Sequence, residues 1–218
     1  MDQLFVYPLA LIPFVAITLV VAFTMHELAH ASVAYRFGDP TAKNQGRLTL
    51  NPLKHLDVFG TILIFVAGFG WARPIPVNRY HFKHPRLAGI CVSIAGPLSN
   101  LFLAFIGFFM YILLQKFGGE WVIHFEPGVD YFFLIFINLN LILFLFNLLP
   151  LPPLDGYRII EDVVSPSIRA KMTQFEQYGI IIFLIFVITP LGQFIFGPLI
   201  SMRDQIINWF NIIFKPLL

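Results

Sequence analysis

Long runs without a charged residue constrain the fold of this chain more than any other feature of its sequence. Four runs reach the roughly 20 apolar residues that a helix needs to cross a bilayer, and they cover residues 3–25, 87–115, 131–154 and 177–202. Hydrophobic residues make up 58% of the 218 positions and charged residues only 12%, with a mean hydropathy of +0.79. The sequence therefore predicts an all-α membrane protein, a polytopic helical bundle with about four to six transmembrane segments.

The remaining apolar run, residues 58–72, is too short to span and is followed by Pro74 and Pro76, which cannot continue a helix. We expect a short re-entrant or extended loop at this point. Pro190 and Pro198 interrupt the last long run, so a break or kink is expected there. The first run lacks the basic start and cleavage site of a signal peptide, and we interpret it as a retained helix.

The distribution of charge predicts the orientation of the chain. Eight of the 14 basic residues fall between Arg36 and Arg86, whereas the loop predicted at residues 116–130 holds three carboxylates and one lysine. By the positive-inside rule the basic segment is cytoplasmic and the acidic loop lies outside. Counting spans forward brings Asp155 to the same membrane face as the end of the first run. The net charge of +2 is small and dispersed, which argues against nucleic-acid binding.

A metal-binding pattern stands at the end of the first apolar run. In HELAH, residues 26–30, His26 and His30 are four positions apart and share one face of a helix, with Glu27 beside them. Catalytic zinc sites combine three protein ligands with an open position for water. The pattern arises by chance in many helices, but ionisable groups inside a membrane are costly and usually functional. We therefore interpret the two histidines as zinc ligands that lack a third.

Asp155 is the candidate for the third ligand. It follows an uncharged run and lies in NLLPLPPLDG, residues 147–156. A carboxylate oxygen suits zinc. The alternative is that Asp155 caps the helix predicted to follow it, which is a common position for aspartate. The predicted topology brings Asp155 to the membrane face of both histidines, and this favours the ligand over the cap.

Taken together, the motifs resemble the site-2 protease family of intramembrane zinc metalloproteases. HELAH, AGPLSN at residues 95–100 and NLLPLPPLDG occur in that order, and NPLKHLDVFGT and GWARPIPVN resemble the compact bacterial branch without a PDZ domain. The likeness covers about residues 14–165, the expected catalytic core of a single domain spanning residues 1–218, with C-terminal helices at 175–218. The resemblance implies that His26, His30 and Asp155 bind one Zn²⁺ per chain and that Glu27 activates the attacking water.

Further residues receive roles through the same resemblance. Asn147 matches the asparagine that helps position substrate, and Gly96 and Asn100 match a small-residue motif that permits close helix packing. Phe65 and Arg79 depart from the family pattern in the loop expected near the substrate.

Other polar residues are interpreted from their local sequence alone. His55 is a candidate to orient a site group from outside the ligand set, although a loop histidine without such a role is the commoner case. Asn138 and Asn140 are expected to face the bundle and to form hydrogen bonds between helices. Arg158, Glu161 and Asp162 follow the proposed ligand on a helix and resemble ordinary surface charge.

The function predicted from these features is zinc-dependent endoproteolysis within or near transmembrane segments of membrane proteins, in regulated proteolysis. The expected partners are a transmembrane substrate and the lipid bilayer. The expected location is the bacterial inner membrane, with the active site near its cytoplasmic face. Two alternatives remain, a zinc-binding membrane regulator that does not cleave and a metal transporter. Glu27 argues against a purely structural zinc site, and the absence of an internal repeat argues against a transporter.

Overall fold

The computed structural model describes residues 7–67 and 70–217 and consists of α-helices joined by turns, short 3₁₀ segments and one extended stretch. The helices are α1 (Ile12–Arg36), α2 (Thr41–Asn44), α3 (Val58–Ala67), α4 (Pro85–Phe117), α5 (Gly119–Asn147), α6 (Asp155–Val163), α7 (Pro166–Glu176), α8 (Gly179–Ile188) and α9 (Gly192–Phe214).

Three helices of the described chain are long and apolar enough to cross a membrane, namely the stretches Leu9–Arg36, Pro85–Phe117 and Pro127–Asn147. They form the centre of the bundle, where α4 packs against α1 and α5 and these two also touch each other. Large apolar side chains such as Phe102 and Leu134 are more than 60% exposed on the outside of the bundle. An apolar exterior of this kind is expected where lipid replaces water as the solvent. The prediction of a helical membrane protein is confirmed.

The last apolar run divides into two helices. Helix α8 ends at Ile188 and α9 begins at Gly192, so the helix is interrupted at Pro190, as the sequence predicted. Pro198 lies inside α9 and does not end it. Because α8 has only 10 residues, it is too short to span alone, and the count of four to six spans stays a prediction.

The segment 116–130, predicted to be a loop outside the membrane, is mostly helical in the structure. Helix α5 begins at Gly119 and includes Pro127 within it, so most of residues 116–130 is helical. The carboxylates of this segment suggested a loop, but charge does not by itself stop a helix, and one proline can be tolerated in a packed membrane helix.

Aromatic packing holds the C-terminal helix against the central bundle. One apolar cluster joins α4, α5 and α9, and its buried members are Ala104, Phe108, Ile112, Ile137, Leu141, Phe210 and Phe214. The rings of Phe105 and Phe210 meet edge to face with centroids 5.4 Å apart, a favoured aromatic geometry. A second cluster joins α1 to α3 through Leu19, Phe23 and Ile64.

Residues 58–67 of the short apolar run form α3, and the chain contacts α1 again through the hydrogen bond from Ile75 to Glu27. We name residues 70–82 the strap; its first part is extended, and a short 3₁₀ turn, Arg79–His81, lies near its end. The buried guanidinium of Arg47 donates to the carbonyl oxygens of Arg73 at 2.6 Å and Pro74 at 3.2 Å. The backbone amide of Asn78 donates to Asp39 at 2.7 Å. The structure thus has the expected extended segment after residue 70, and the helix α3 precedes it.

Asp39 anchors the second half of the strap to the end of α1. Burial alone would raise the pKa of Asp39, but hydrogen bonds from the side chain and backbone of Thr41, from the Asn78 amide and from His81 outweigh it. The pKa of this carboxyl group therefore lies below its ordinary value. The buried carboxylate fixes where the strap leaves the bundle.

Candidate metal centre

The structure brings His26 and His30 of α1 together with Asp155 at the start of α6. His26 Nε2 lies 3.0 Å from His30 Nε2, and Asp155 Oδ2 lies 3.2 Å from the first nitrogen and 3.3 Å from the second. Both histidines are 7% exposed. These three residues form a group whose ligand atoms all lie within 4.8 Å of one another.

Asn100 of α4 determines which nitrogen of His26 carries the proton. The Asn100 Nδ2 group lies 3.3 Å from the carbonyl oxygen of Ala22 and 3.1 Å from Asn140 Oδ1. Because a carbonyl only accepts, this end of the amide is the donor, and Asn100 Oδ1 must face His26 Nδ1 at 2.7 Å. The Nδ1 atom of His26 is therefore protonated and its Nε2 atom carries a lone pair in the neutral ring.

His30 is held in the same tautomer by a backbone group. Its Nδ1 atom lies 2.6 Å from the carbonyl oxygen of Val92 on α4, and this oxygen can only accept a hydrogen bond. The proton of the neutral ring is consequently on Nδ1, and Nε2 is unprotonated. Partners of this kind orient metal-binding histidines and raise their basicity as ligands.

With both rings neutral, the two Nε2 atoms and the Asp155 oxygen therefore face one another as three lone-pair atoms. Asp155 Oδ2 is buried and no hydrogen-bond donor satisfies it within the described residues. Such a cluster is repulsive unless a cation lies among its members. Zinc bonds of 2.0–2.1 Å in a tetrahedron separate neighbouring ligand atoms by about 3.3–3.4 Å, close to the observed 3.0–3.3 Å. The donor set and its spacing fit Zn²⁺.

The metal ligand and the helix cap are alternatives for Asp155, and the local geometry disfavours the cap. Helix α6 begins at Asp155, its N-cap residue is Leu154, and no side chain makes a capping hydrogen bond there. The carboxylate of Asp155 is instead directed at the two histidines of α1.

Close approach of α4 to the two imidazoles requires glycine at position 96. A Cβ atom built on Gly96 would overlap the Nε2 atoms of both His26 and His30. The small residue in AGPLSN therefore leaves room for the ligand atoms themselves, in addition to helix packing. Asn100, one turn further along α4, supplies the hydrogen bond to His26.

Glu27 lies beside the histidines and contacts the strap. It is 7% exposed, and its Oε2 atom accepts a hydrogen bond of 2.9 Å from the backbone amide of Ile75. Pro74 and Pro76 have no amide hydrogen, so Ile75 carries the one donor of this Pro-Ile-Pro segment. The strap thus orients the carboxylate predicted to be the base.

A cavity of about 320 Å³ opens next to the cluster. Its lining combines the three candidate ligands and Glu27 with apolar groups of α1, α5, the strap and the loop before α6, including Phe23, Trp71, Ile75, Phe146 and Pro153. Asn147 and Arg158 also line it. The cavity is large enough for a short extended peptide segment and combines apolar walls with a few polar groups.

The two remaining candidates from the sequence occupy different places. Asn147 reaches the cavity and donates through Nδ2 to the carbonyl oxygen of Leu143 at 2.9 Å. His55 is fully buried in the loop before α3, where its Nε2 atom lies 2.7 Å from the carbonyl oxygen of Thr49. It is not among the residues that line the cavity.

Three interpretations of polar residues need correction. Within the described residues, Asn138 donates to the Leu134 carbonyl of its own helix and not to another helix, whereas Asn140 accepts from Asn100 of α4 as expected. Glu161 and Asp162 are 5% and 1% exposed, so they are not surface charge. Thr173 donates to Glu161, and Arg79 donates to Asp162. Both partners come from other parts of the chain and could not be predicted from the local pattern. The role of Asn100 at His26 was also missed. Its signal was a polar residue within an apolar helix, which requires a partner.

Fold and site together define a helical membrane protein with a metal-ligand cluster and an adjacent carboxylate, and the chain belongs to peptidase family M50. Residues 122–190 match that family. The chain is 66% identical over 219 residues to the "Putative zinc metalloprotease YwhC" of Bacillus subtilis (strain 168), with 100% of both chains covered.

More distant relatives carry similar names. The chain is 31% identical over 192 residues to the "Putative zinc metalloprotease Rip2" of Mycolicibacterium smegmatis, covering 85% of this chain and 68% of that one. It is 34% identical over 142 residues to the "Putative zinc metalloprotease MJ0611" of Methanocaldococcus jannaschii, covering 64% of each. No solved structure matches the chain. The resemblance to site-2 proteases is confirmed at the level of the family.

Replacing Asn100 is expected to weaken metal binding without touching a ligand. In Asn100→Leu, His26 loses the acceptor that fixes its tautomer, and loss of such a partner typically lowers metal affinity about 10–100-fold. Competition with a zinc chelator would measure the dissociation constant of the purified protein. Asn138→Leu is the matched control, because the hydrogen bond of Asn138 within the described residues is to the Leu134 carbonyl of its own helix. Equal affinity in the two variants would contradict the assignment.

Removing the Ile75 amide hydrogen is expected to slow turnover while metal binding persists. In Ile75→Pro, Glu27 loses its backbone donor, and both neighbours are already prolines, so the segment can accept a third. A hydrogen bond to a charged group contributes about 1.5–3 kcal/mol, and we expect kcat to fall about tenfold. Ile75→Ala loses the side chain but keeps the amide hydrogen. If both variants lose activity equally, the side chain rather than the hydrogen bond is responsible.

Proposed function

We propose that this protein is a zinc-dependent endopeptidase that hydrolyses peptide bonds within or near the transmembrane segments of membrane proteins. One observation carries the proposal: three candidate ligand atoms, one from each of His26, His30 and Asp155, converge 3.0–3.3 Å apart beside the buried carboxylate of Glu27. A structural zinc site would need a closed ligand shell and no neighbouring base. An open position next to a carboxylate is instead the arrangement of a hydrolase.

The roles of the residues follow from their positions. His26, His30 and Asp155 would hold one Zn²⁺ per chain, and Asn100 and the Val92 carbonyl would keep both rings in the binding tautomer. The ion, when bound, lowers the pKa of a coordinated water and polarises the scissile carbonyl.

Glu27 acts on the proton of the attacking water. It would accept this proton and deliver it to the amine of the departing peptide, as a general base and then a general acid. The Ile75 amide holds one oxygen of Glu27, so the carboxylate enters the reaction already oriented.

The surroundings of the site support a membrane-embedded, extended substrate. Two of the three ligands, His26 and His30, stand on a helix apolar enough to span the bilayer, and Phe23 of that helix and Phe146 of α5 line the cavity. A helical peptide bond is shielded by its own turn, so a transmembrane substrate has to unwind before it is cut. The strap presents extended backbone that could pair with an unwound segment, although its two prolines limit the pairing. Asn147, which also lines the cavity, would contact the substrate backbone.

The orientation and location follow from charge. The excess of basic residues between Arg36 and Arg86 supports a site near the cytoplasmic face of a bacterial inner membrane. Cleavage at that depth suits regulated release of a protein from the membrane.

Cleavage of a reporter in proteoliposomes tests the proposal. A single-span reporter with a central Gly-Pro pair should be cut by zinc-loaded protein, should resist protein stripped of metal, and should be cut again after zinc is restored. A reporter with a continuous leucine core should be cut more slowly. An intact Gly-Pro reporter would contradict the proposal. A zinc-sensitive dye inside the vesicles would then test transport, since zinc accumulation without cleavage would indicate a transporter.

A further inference from the structure

Helix α6, which begins with the candidate ligand Asp155, presents its carboxylates inward and its aliphatic residues outward. Glu161 and Asp162 are buried, whereas Ile160 is 38% exposed and Val163 is 66% exposed. This orientation is the reverse of the usual pattern for a helix against water. Burying a carboxylate is costly unless it is paired. The partners of the buried carboxylates should therefore explain why α6 adopts this rotation.

Asp162 is the meeting point of four parts of the chain. Its Oδ1 atom accepts a hydrogen bond from Arg79 Nη1 of the strap and lies 3.5 Å from Arg169 Nη2 of α7. On α4, the Gly89 backbone approaches so closely that a Cβ atom there would overlap Asp162 Oδ2. The Asp162 carboxylate of α6, which is 1% exposed, thus contacts the strap, α4 and α7.

The geometry of a helix links this contact to the candidate ligand. Asp155 and Asp162 are seven residues apart, which is close to two turns, so they lie on nearly the same face of α6. A rotation that keeps Asp162 against Arg79 and Gly89 also aims Asp155 at His26 and His30. Sliding or turning α6 would move both carboxylates together.

We propose that Arg79 and Asp162 are positioning residues for the metal centre: their ion pair fixes the rotation of α6 and so places Asp155 among the ligands. The proposal rests on the metal site of the proposed function and assigns it a dependence on the strap. The same strap orients Glu27 through Ile75. Ligand and base are therefore both positioned by one extended segment.

The affinity for zinc distinguishes positioning from a general contribution to stability. We would measure zinc dissociation constants and metal-free melting temperatures of the full-length protein in detergent for Arg79→Met, Asp162→Asn and the double variant. Methionine keeps most of the apolar stem of arginine without its charge, and asparagine keeps the volume allowed beside Gly89. Glu176→Gln is the control, because it removes the exposed Arg158–Glu176 pair that joins α6 to α7.

Each single variant of the buried pair should bind zinc about 10–100-fold more weakly than wild type, the usual effect of losing an outer partner of a ligand. The double variant should be close to the weaker single variant, because both changes remove one contact. Arg79→Lys keeps the charge and should have an intermediate affinity. Glu176→Gln should stay within about twofold of wild type.

Wild-type zinc affinity in folded Arg79→Met and Asp162→Asn would overturn the proposal, even if their melting temperatures fall. Should Arg79→Met fail to fold, the affinity of Asp162→Asn decides by itself. The readout does not require proteolysis. A wild-type protein that binds zinc but cuts no reporter would refute the proposed function alone, whereas normal cleavage with unchanged affinities would refute this inference alone.

Discussion

Asp155→Ala is expected to abolish tight zinc binding and, with it, all measurable proteolysis. The change removes one of three ligand atoms that lie 3.0–3.3 Å apart. Because loss of an outer partner already costs about 10–100-fold in metal affinity, loss of a ligand should cost more. Zinc content after dialysis, measured by elemental analysis, and cleavage of the Gly-Pro reporter would report the two effects.

The control for this prediction is a carboxylate away from the site. Asp204 of α9 pairs with its neighbour Arg203 at the surface, and Asp204→Asn should retain zinc and activity. Asp155→His tests the chemistry further, since imidazole is also a zinc ligand and could restore part of the binding. Full zinc occupancy in Asp155→Ala would exclude Asp155 from the ligand set.

Glu27→Gln is expected to have the second large effect, with the opposite pattern of zinc content. The amide cannot accept the proton of the attacking water, and general acid–base catalysis typically contributes about 10²–10⁴-fold to the rate. Its carbonyl oxygen can still accept the hydrogen bond from Ile75, so the side chain should remain in place. We expect kcat to fall by about this factor while zinc content stays that of wild type.

The comparison of turnover with metal content makes this prediction specific. Loss of zinc together with activity would mean that Glu27 supports the metal site instead of acting on water. Equal cleavage by wild type and Glu27→Gln, with equal zinc content, would show that another group is the base.

The parts of the site that depend on local periodicity could be predicted from the sequence. His26 and His30 share a helix face because they are four residues apart, and this requires only that the segment be helical. Charge asymmetry placed Asp155 at the same end of the bundle as the histidines. The structure shows these three side chains together.

Other features depend on contacts between distant segments and carry little local signal. Nothing in residues 155–163 shows that an arginine of the strap reaches Asp162. The charged residues of this helix were therefore interpreted as solvent-exposed. Asn100 was visible as a polar residue in an apolar run, but its contact with His26 depends on the packing of α4 against α1. The hydrogen bond from Ile75 to Glu27 joins residues 48 positions apart in the chain.

The most direct test of the central claim is to identify the bond that is cut. Mass spectrometry of both fragments of the Gly-Pro reporter, cleaved in proteoliposomes, would locate the scissile bond. The account predicts a cut within or at the edge of the transmembrane segment, on the cytoplasmic side, which disappears on metal chelation and in Glu27→Gln. A cut in a water-exposed tail, or one that persists without metal, would contradict it.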